Sequence, residues 1–232
     1  MLAQGKRDSA GCGTLTPGTC MIGKLKSLIL RAIDAAGYTI SRKPRWKVSA
    51  EKRILKVESR KIHYGSGGRL MSGWVNVDLY PSESLTADPV RVSANLTLEH
   101  PFADGWFLYA FSEDFFEHLE QKQQLLFLVE AYRVLAPGGV LRMSFPGLEG
   151  VLMRHFSDNR LASYGQGVYD SYDVFEHKHF ASRAELELMC RHIGFSSVDF
   201  EIKYGESRHE PLKGLDSRVE QIGLNTYAEI TK

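Results

Sequence analysis

The sequence predicts an α/β fold, doubly wound around a mainly parallel seven-stranded sheet, and three observations carry that expectation. Short apolar runs alternate with helical patterns from residue 61 onward, the order that parallel strands joined by crossover helices require. The run Lys61-Ile62-His63-Tyr64 passes into a Gly65-Ser66-Gly67 turn, and the next run, Val75-Asn76-Val77, ends on Asp78. A long helical pattern then stops at Pro137-Gly138-Gly139, and the apolar stretch Val140 to Phe145 follows at once. Proline cannot donate a backbone hydrogen bond and glycine disfavours helix, so that triplet separates two elements.

Taken in order, residues 1–20 lack periodicity and are expected to form a disordered tail. Residues 21–60 read as an N-terminal helix and a basic arm, and residues 61–232 as the main domain. The helix rests on Ile22, Leu25, Leu28, Ile29, Ala32, Ile33 and Ala36, at helical spacing before Gly37. Strands are expected at 61–65, 74–79, 91–96 and 107–112. A helix from about Glu113 to Leu135 should bury Phe116, Leu119, Leu125, Leu128, Val129 and Tyr132. The strand at 140–145 is stopped by Pro146, and a helix over 180–193 ends at Gly194. Alternation at Val198, Phe200 and Ile202, then at Thr226, Ala228 and Ile230, predicts two final strands, the last antiparallel.

Composition narrows the function classes. With 29 Lys and Arg against 28 Asp and Glu, the net charge of +1 gives no global field for nucleic acid, and none is expected as a partner. The charge is segregated, however: residues 42–61 hold nine basic side chains against Glu51 and Glu58, and residues 92–121 hold no Lys or Arg. No apolar run approaches the roughly 20 residues that span a bilayer. No signal peptide precedes the core, and the 3 cysteines build no disulfide framework, so a soluble cytoplasmic protein is expected.

In open parallel sheets, ligands sit outside the carboxyl ends of the strands. That rule selects the loops 65–73, 78–82, 111–118 and 146–180, with 204–223 joining them if the last two strands pair. Glycines at 65 and 67 let the backbone approach a ligand, and a carboxylate at 78 suits the hydroxyls of a ribose.

Four segments together resemble the class I S-adenosylmethionine-dependent methyltransferases. They are Ile62 to Gly67, Gly73-Trp74-Val75-Asn76-Val77-Asp78-Leu79, Ser112 to Leu119, and Glu130-Ala131-Tyr132-Arg133-Val134-Leu135-Ala136-Pro137-Gly138-Gly139. The likeness extends to bacterial methyltransferase-like proteins with Gly-Trp-x-Asn-Val-Asp and Glu-His-Leu motifs, members of which accompany polysaccharide biosynthesis. The resemblance implies a Rossmann-like sheet and S-adenosylmethionine as cofactor. It places Gly65, Ser66 and Gly67 beneath the methionine part, Asp78 at the ribose, and Leu79, Asn95 and Leu96 around the adenine. Ser112 and Glu113 would close the pocket near the sulfonium. The sequence departs from the family pattern at His63 and at Gly147, where relatives carry an acid or Asn and an Asp respectively. Only 10 residues separate Gly67 from Asp78.

The implied reaction is methyl transfer to a small-molecule or saccharide acceptor, most simply at a hydroxyl, which needs a base to take its proton. Asp114 and His118 are the candidate catalytic residues, with His155, His177 and His179 also near the expected rim. Glu117 beside His118 suits the capping of a helix start. His177 and His179 lack an evident third ligand, so no metal site is expected. The alternative is a non-catalytic nucleoside-binding or regulatory protein on the same fold.

Overall fold

The computed structural model describes residues 54–80, 82–158 and 160–232. The expected tail, the helix over Ile22 to Ala36 and most of the basic arm lie outside the described residues. What is described belongs to one unit, Lys52–Lys232.

Seven strands form a single sheet: β1 (Lys61–Tyr64), β2 (Val75–Asp78), β3 (Val90–Ser93), β4 (Phe107–Glu113), β5 (Leu135–Pro146), β6 (Ser197–Asp199) and β7 (Asn225–Thr231). Their order across the sheet is β3-β2-β1-β4-β5-β7-β6. The first five pair in parallel, and β7 runs antiparallel between β5 and β6. The predicted fold class is therefore the observed one. The order reverses between β1 and β4, which opens the crevice at the carboxyl ends of these strands where a ligand is expected.

Four α-helices are described: α1 (Gln121–Val134), α2 (Leu148–His155), α3 (Leu161–Val168) and α4 (Arg183–Ile193). The core lies between sheet and helices, where Ile62, Tyr64, Val75, Val77, Phe127, Leu128, Leu141 and Ile230 are fully buried. Helix α4 follows the sequence closely. The Ser182 hydroxyl accepts the Glu185 N–H at 3.1 Å, and Gly194 closes the helix in the left-handed region at φ 116°.

Several boundaries differ from expectation. The helix expected from Glu113 begins at Gln121, because β4 runs on through Glu113 and Asp114 turns into the left-handed region (φ 48°). A short 3-10 turn, Phe116–His118, fills the interval. Gln123 Oε1 then accepts the Glu120 N–H at 2.9 Å and starts α1. Phe116, Leu119 and Leu128 are buried as expected, whereas Leu125 and Val129 face outward and Phe127, Ala131 and Val134 take the inner face. The third strand covers Val90–Ser93 rather than 91–96, and β6 ends at Asp199, so Phe200 and Ile202 fall beyond it. Strand β5 starts already at Leu135, its Gly138 (φ 74°) donating to the Lys232 carbonyl at 3.0 Å. The segment 146–180, expected as a loop, contains α2, α3 and a π-helical turn, Tyr169–Asp173.

Two polar clamps hold the segments that lead into the amino-terminal ends of the strands. Asn76, fully buried in β2, donates to the carbonyls of Met71, Trp74 and Val90 and accepts from the Met71 N–H at 2.8 Å and the His63 ring at 3.3 Å. Arg133, near the end of α1, pairs with Glu130 and Asp104 and donates to the carbonyls of His100 and Phe102.

Candidate active site

The Gly65-Ser66-Gly67 turn joins β1 to the crevice. A Cβ at Gly65 (φ 61°) would sit 2.5 Å from the Phe115 side chain, so the chain itself demands glycine there. At Gly67 (φ 49°) the added atom would meet nothing within 4 Å, and that side of the turn is open. Ser66 is buried; its hydroxyl is engaged with Tyr80 and the Val77 carbonyl rather than turned to the crevice.

Asp78, at the end of β2, accepts from the Gly67 N–H at 2.7 Å through one oxygen and from the Leu79 N–H at 2.6 Å through the other. These bonds fix the carboxylate against the turn. Each oxygen retains acceptor capacity, as the ionised group offers about four lone-pair positions. Leu79 beside it is 73% exposed, a large apolar face left at the crevice. Asn95 spends its side-chain oxygen on Thr97, accepting from both its N–H and its hydroxyl, and Leu96 is buried beneath. An anchored acid, an open glycine and an uncovered leucine fit a nucleoside at this edge. These residues would hold the ribose and adenine of S-adenosylmethionine.

Ser112 is buried at the end of β4. Glu113 follows it and is fastened to its own chain: Arg69 donates at 2.6 Å, and Ser217 donates its N–H at 2.7 Å and its hydroxyl. Arg69 and Ser217 come from two separate loops, so Glu113 ties the edges of the crevice together. His63, at the departure from the family pattern, turns into the sheet towards Asn76 and Phe111. Gly147 has its own reason to be glycine, because a Cβ there would lie 2.1 Å from the Thr226 hydroxyl.

Beside this edge opens a cavity of about 490 Å³, lined by Asp114, Glu117, His118, Arg154, His177 and Arg218 among others. Its lining includes both candidate catalytic residues and none of the candidate cofactor residues, which frame the neighbouring edge. Asp114 holds a conformation that most side chains avoid, and this aims its carboxylate into the cavity. Its oxygens meet Asn225 Nδ2 and Arg218 Nε, each at 3.2 Å. Burial, reinforced by the Glu113 charge, raises the Asp114 pKa, while Asn225 and Arg218 oppose the rise. His118 is exposed at the cavity wall; burial of part of its ring and the Lys178 charge lower its pKa.

Glu117 is no surface cap. It is 1% exposed, its Oε2 has no hydrogen-bond partner, and burial raises its pKa well above the ordinary value. Its backbone carbonyl accepts the N–H groups of Lys178 (2.8 Å) and His179 (3.2 Å), which lays residues 176–180 alongside the 3-10 turn. That packing separates the two histidines: His179 bonds Glu185 at 3.0 Å on the far side, while His177 faces Glu117 and His118. His155 lines the same cavity from α2. Sequence reasoning flagged Glu117 and His177 separately; nothing in their spacing of sixty residues reveals that they meet.

Residues 75–143 match the sequence model of a methyltransferase domain. The matched segment runs from β2 into β5 and begins after the glycine turn. No curated protein matches the chain significantly. Among solved structures, the chain is similar to a possible histamine N-methyltransferase from Thermotoga maritima at 19% identity, covering 77% of this chain and 84% of that one (TM-score 0.48). It is similar to an Archaeoglobus fulgidus S-adenosylmethionine-dependent methyltransferase at 14% identity, over 94% and 100% (TM-score 0.45). A third is Haemonchus contortus phosphoethanolamine N-methyltransferase 2, at 17% identity and TM-score 0.44; the match takes in 62% of this chain but only 35% of that protein.

Proposed function

We propose that this chain is an S-adenosylmethionine-dependent methyltransferase acting on a hydroxyl of a small-molecule or saccharide acceptor. The observation that carries the reading is the adjacency of two sites: the edge anchored by Asp78 and, beside it, a cavity into which a strained turn aims the Asp114 carboxylate. The methyltransferase-domain match over β2 to β5 supports the same reaction class. When bound, the cofactor supplies a methyl group on a sulfonium, already activated for displacement.

The chain's own residues then align, exclude water and accept a proton. Held at the Asp78 edge, the cofactor would supply the methyl group to an acceptor hydroxyl in the cavity, and that hydroxyl would have to give up its proton. Asp114 takes the hydroxyl proton. Its raised pKa makes it a stronger base than an ordinary carboxylate, and Arg218 holds it in place. In-line alignment supplies much of the rate in such a displacement, which suits a cavity walled by a helix and several turns.

Calorimetric titration with S-adenosylmethionine and S-adenosylhomocysteine tests the cofactor half. Micromolar binding that Asp78→Ala weakens by tenfold or more is expected, since the carboxylate loses about 1.5–3 kcal/mol of charge-assisted hydrogen bonding. If the folded wild type binds neither ligand, the methyltransferase reading fails. Binding without turnover on any hydroxyl acceptor would favour the alternative, a nucleoside-binding regulatory protein; the engagement of Glu113 by Arg69 and Ser217 is the feature that supports it.

A further inference from the structure

The geometry points to a divalent metal site in the wall of the cavity, formed by Glu117, His118 and His177. One ligand atom from each of these three residues lies within 4.8 Å of the others, and the Glu117 carboxylate is 4.0 Å from His177 Nε2. The His118 and His177 rings stand 4.9 Å apart at 63°. Ligand atoms around a tetrahedral zinc-sized ion lie about 3.3 Å apart, so closure needs movements of an ångström or so. His118, exposed at the rim, is free to make the largest of them.

Three features set this cluster apart from a chance meeting of polar residues. The first is the buried carboxylate with its unpartnered Oε2. A buried polar atom without a partner is costly; Oε1 is the oxygen that faces His177, and a cation held by both carboxylate oxygens would satisfy Oε2 as well. The second is the orientation of His177. Its Nδ1 lies 2.7 Å from the Ser171 carbonyl, which can only accept, so Nδ1 carries the proton and Nε2 presents a lone pair towards Glu117. Metal-binding imidazoles are commonly oriented by such a bond on the other nitrogen.

The third is preorganisation. The Glu117 carbonyl receives two N–H groups from the segment that carries His177, and Gln124, fully buried, donates to the carbonyls of both Phe116 and His179. The Ser171 carbonyl comes from a π-helical turn, a form that occurs often at functional sites. Two imidazoles and one carboxylate select borderline ions such as Zn²⁺ or Co²⁺ over Mg²⁺, which prefers oxygen donors.

Three protein ligands leave coordination positions open towards the cavity, and an oxygen of the acceptor would take one. A hydroxyl there loses its proton more readily, and Asp114 is at hand to receive it. This last assignment rests on the methyl-transfer reading; the metal site itself does not.

The test is cation binding by the full chain after chelator treatment and removal of the chelator. Co²⁺ is followed by its visible absorption and Zn²⁺ by calorimetry, in the absence of S-adenosylmethionine. One ion per chain, at micromolar affinity or tighter and without comparable Mg²⁺ binding, is expected. Glu117→Gln and His177→Gln should each weaken it at least tenfold, while His179→Gln, on the Glu185 side, should leave it unchanged. Should Glu117→Gln not fold, His118→Gln at the exposed rim carries the same expectation. Absence of Zn²⁺ and Co²⁺ binding by the folded wild type overturns the inference, as does binding that survives the Glu117 and His177 substitutions. Because no cofactor is present, failure here leaves the methyltransferase reading standing, and failure of cofactor binding leaves this one.

Discussion

Asp114 and Asn76 show how differently two polar residues at strand ends can act. Asp114 occupies a left-handed turn with φ 48°, where a non-glycine residue costs on the order of 1 kcal/mol, and it spends that strain on pointing a carboxylate into a cavity. Asp114→Asn preserves the turn, since Asn tolerates that region, and removes the proposed base. Turnover is expected to fall about 10²- to 10⁴-fold with cofactor affinity unchanged, measured by product formation beside calorimetry. Asn76 does no chemistry. Its amide holds the carbonyls of Met71 and Val90 and the Met71 N–H, so Asn76→Leu strands several buried groups. A loss of about 2–4 kcal/mol in urea unfolding is expected. The Gly-Trp-x-Asn-Val-Asp motif therefore joins one residue proposed for the ligand edge, Asp78, to one that builds the strand pair.

At the level of elements, the strands were legible because burial on both faces imposes continuous apolar runs, and four of the seven lie within a residue or two of where those runs predict, while β3, β5 and β6 differ by three to five residues at one end. The helices α2 and α3 were not, because Gly147, Gly150, Gly165 and Gly167 mask their periodicity. Packing explains two of these: a Cβ at Gly150 would lie 2.2 Å from the Leu224 carbonyl, and one at Gly167 would lie 2.5 Å from the His155 carbonyl. Close backbone approach overrode helix propensity there. The edge proposed for the cofactor rests on local motifs. The cluster at Glu117 does not, because it forms only when residues 176–180 fold back on the 3-10 turn. The long connection 204–223 is ordered by another long-range contact. Arg142, fully buried in β5, pairs with Asp216 at 2.5 Å and donates to the Lys203 carbonyl at 3.0 Å, with Glu229 at 3.7 Å. An arginine inside the apolar run Val140 to Phe145 was the available sign of a buried partner. Asp216→Ala would leave that guanidinium largely unpaired among buried groups and should cost about 3–5 kcal/mol, whereas exposed pairs such as Arg191 with Glu187 should cost under about 1 kcal/mol. Paired denaturation curves of the two variants check the contrast.

Across the whole molecule, buried titratable groups pull stability in opposite directions as pH falls. Burial lowers both His63 and His100 from 6.5 to about 4, with hydrogen bonds to Asn76 and Leu96 only partly offsetting it. Between those values the unfolded chain binds protons that the folded one refuses. The stability these neutral rings contribute is complete above pH 6.5 and is lost as pH falls through about 4. Each shift corresponds to roughly 3 kcal/mol by the pKa conversion. Glu117 has the reverse sign: its pKa is raised in the fold, so its ionisation opposes folding above the ordinary carboxylate range, and acidification relieves that cost. The net slope in wild type is thus a difference between the two effects, and substitution separates them. His100→Gln, which can retain a donor towards the Leu96 carbonyl, should reduce the stability lost between pH 7 and 4 by about 3 kcal/mol. Glu117→Gln should steepen the same loss, because its opposing contribution disappears. Urea unfolding of the three proteins at pH 7, 5.5 and 4 measures both. A wild-type slope unchanged in His100→Gln would mean that the ring is protonated within the fold, and that the pocket of Tyr64 and Phe127 around it admits a charge.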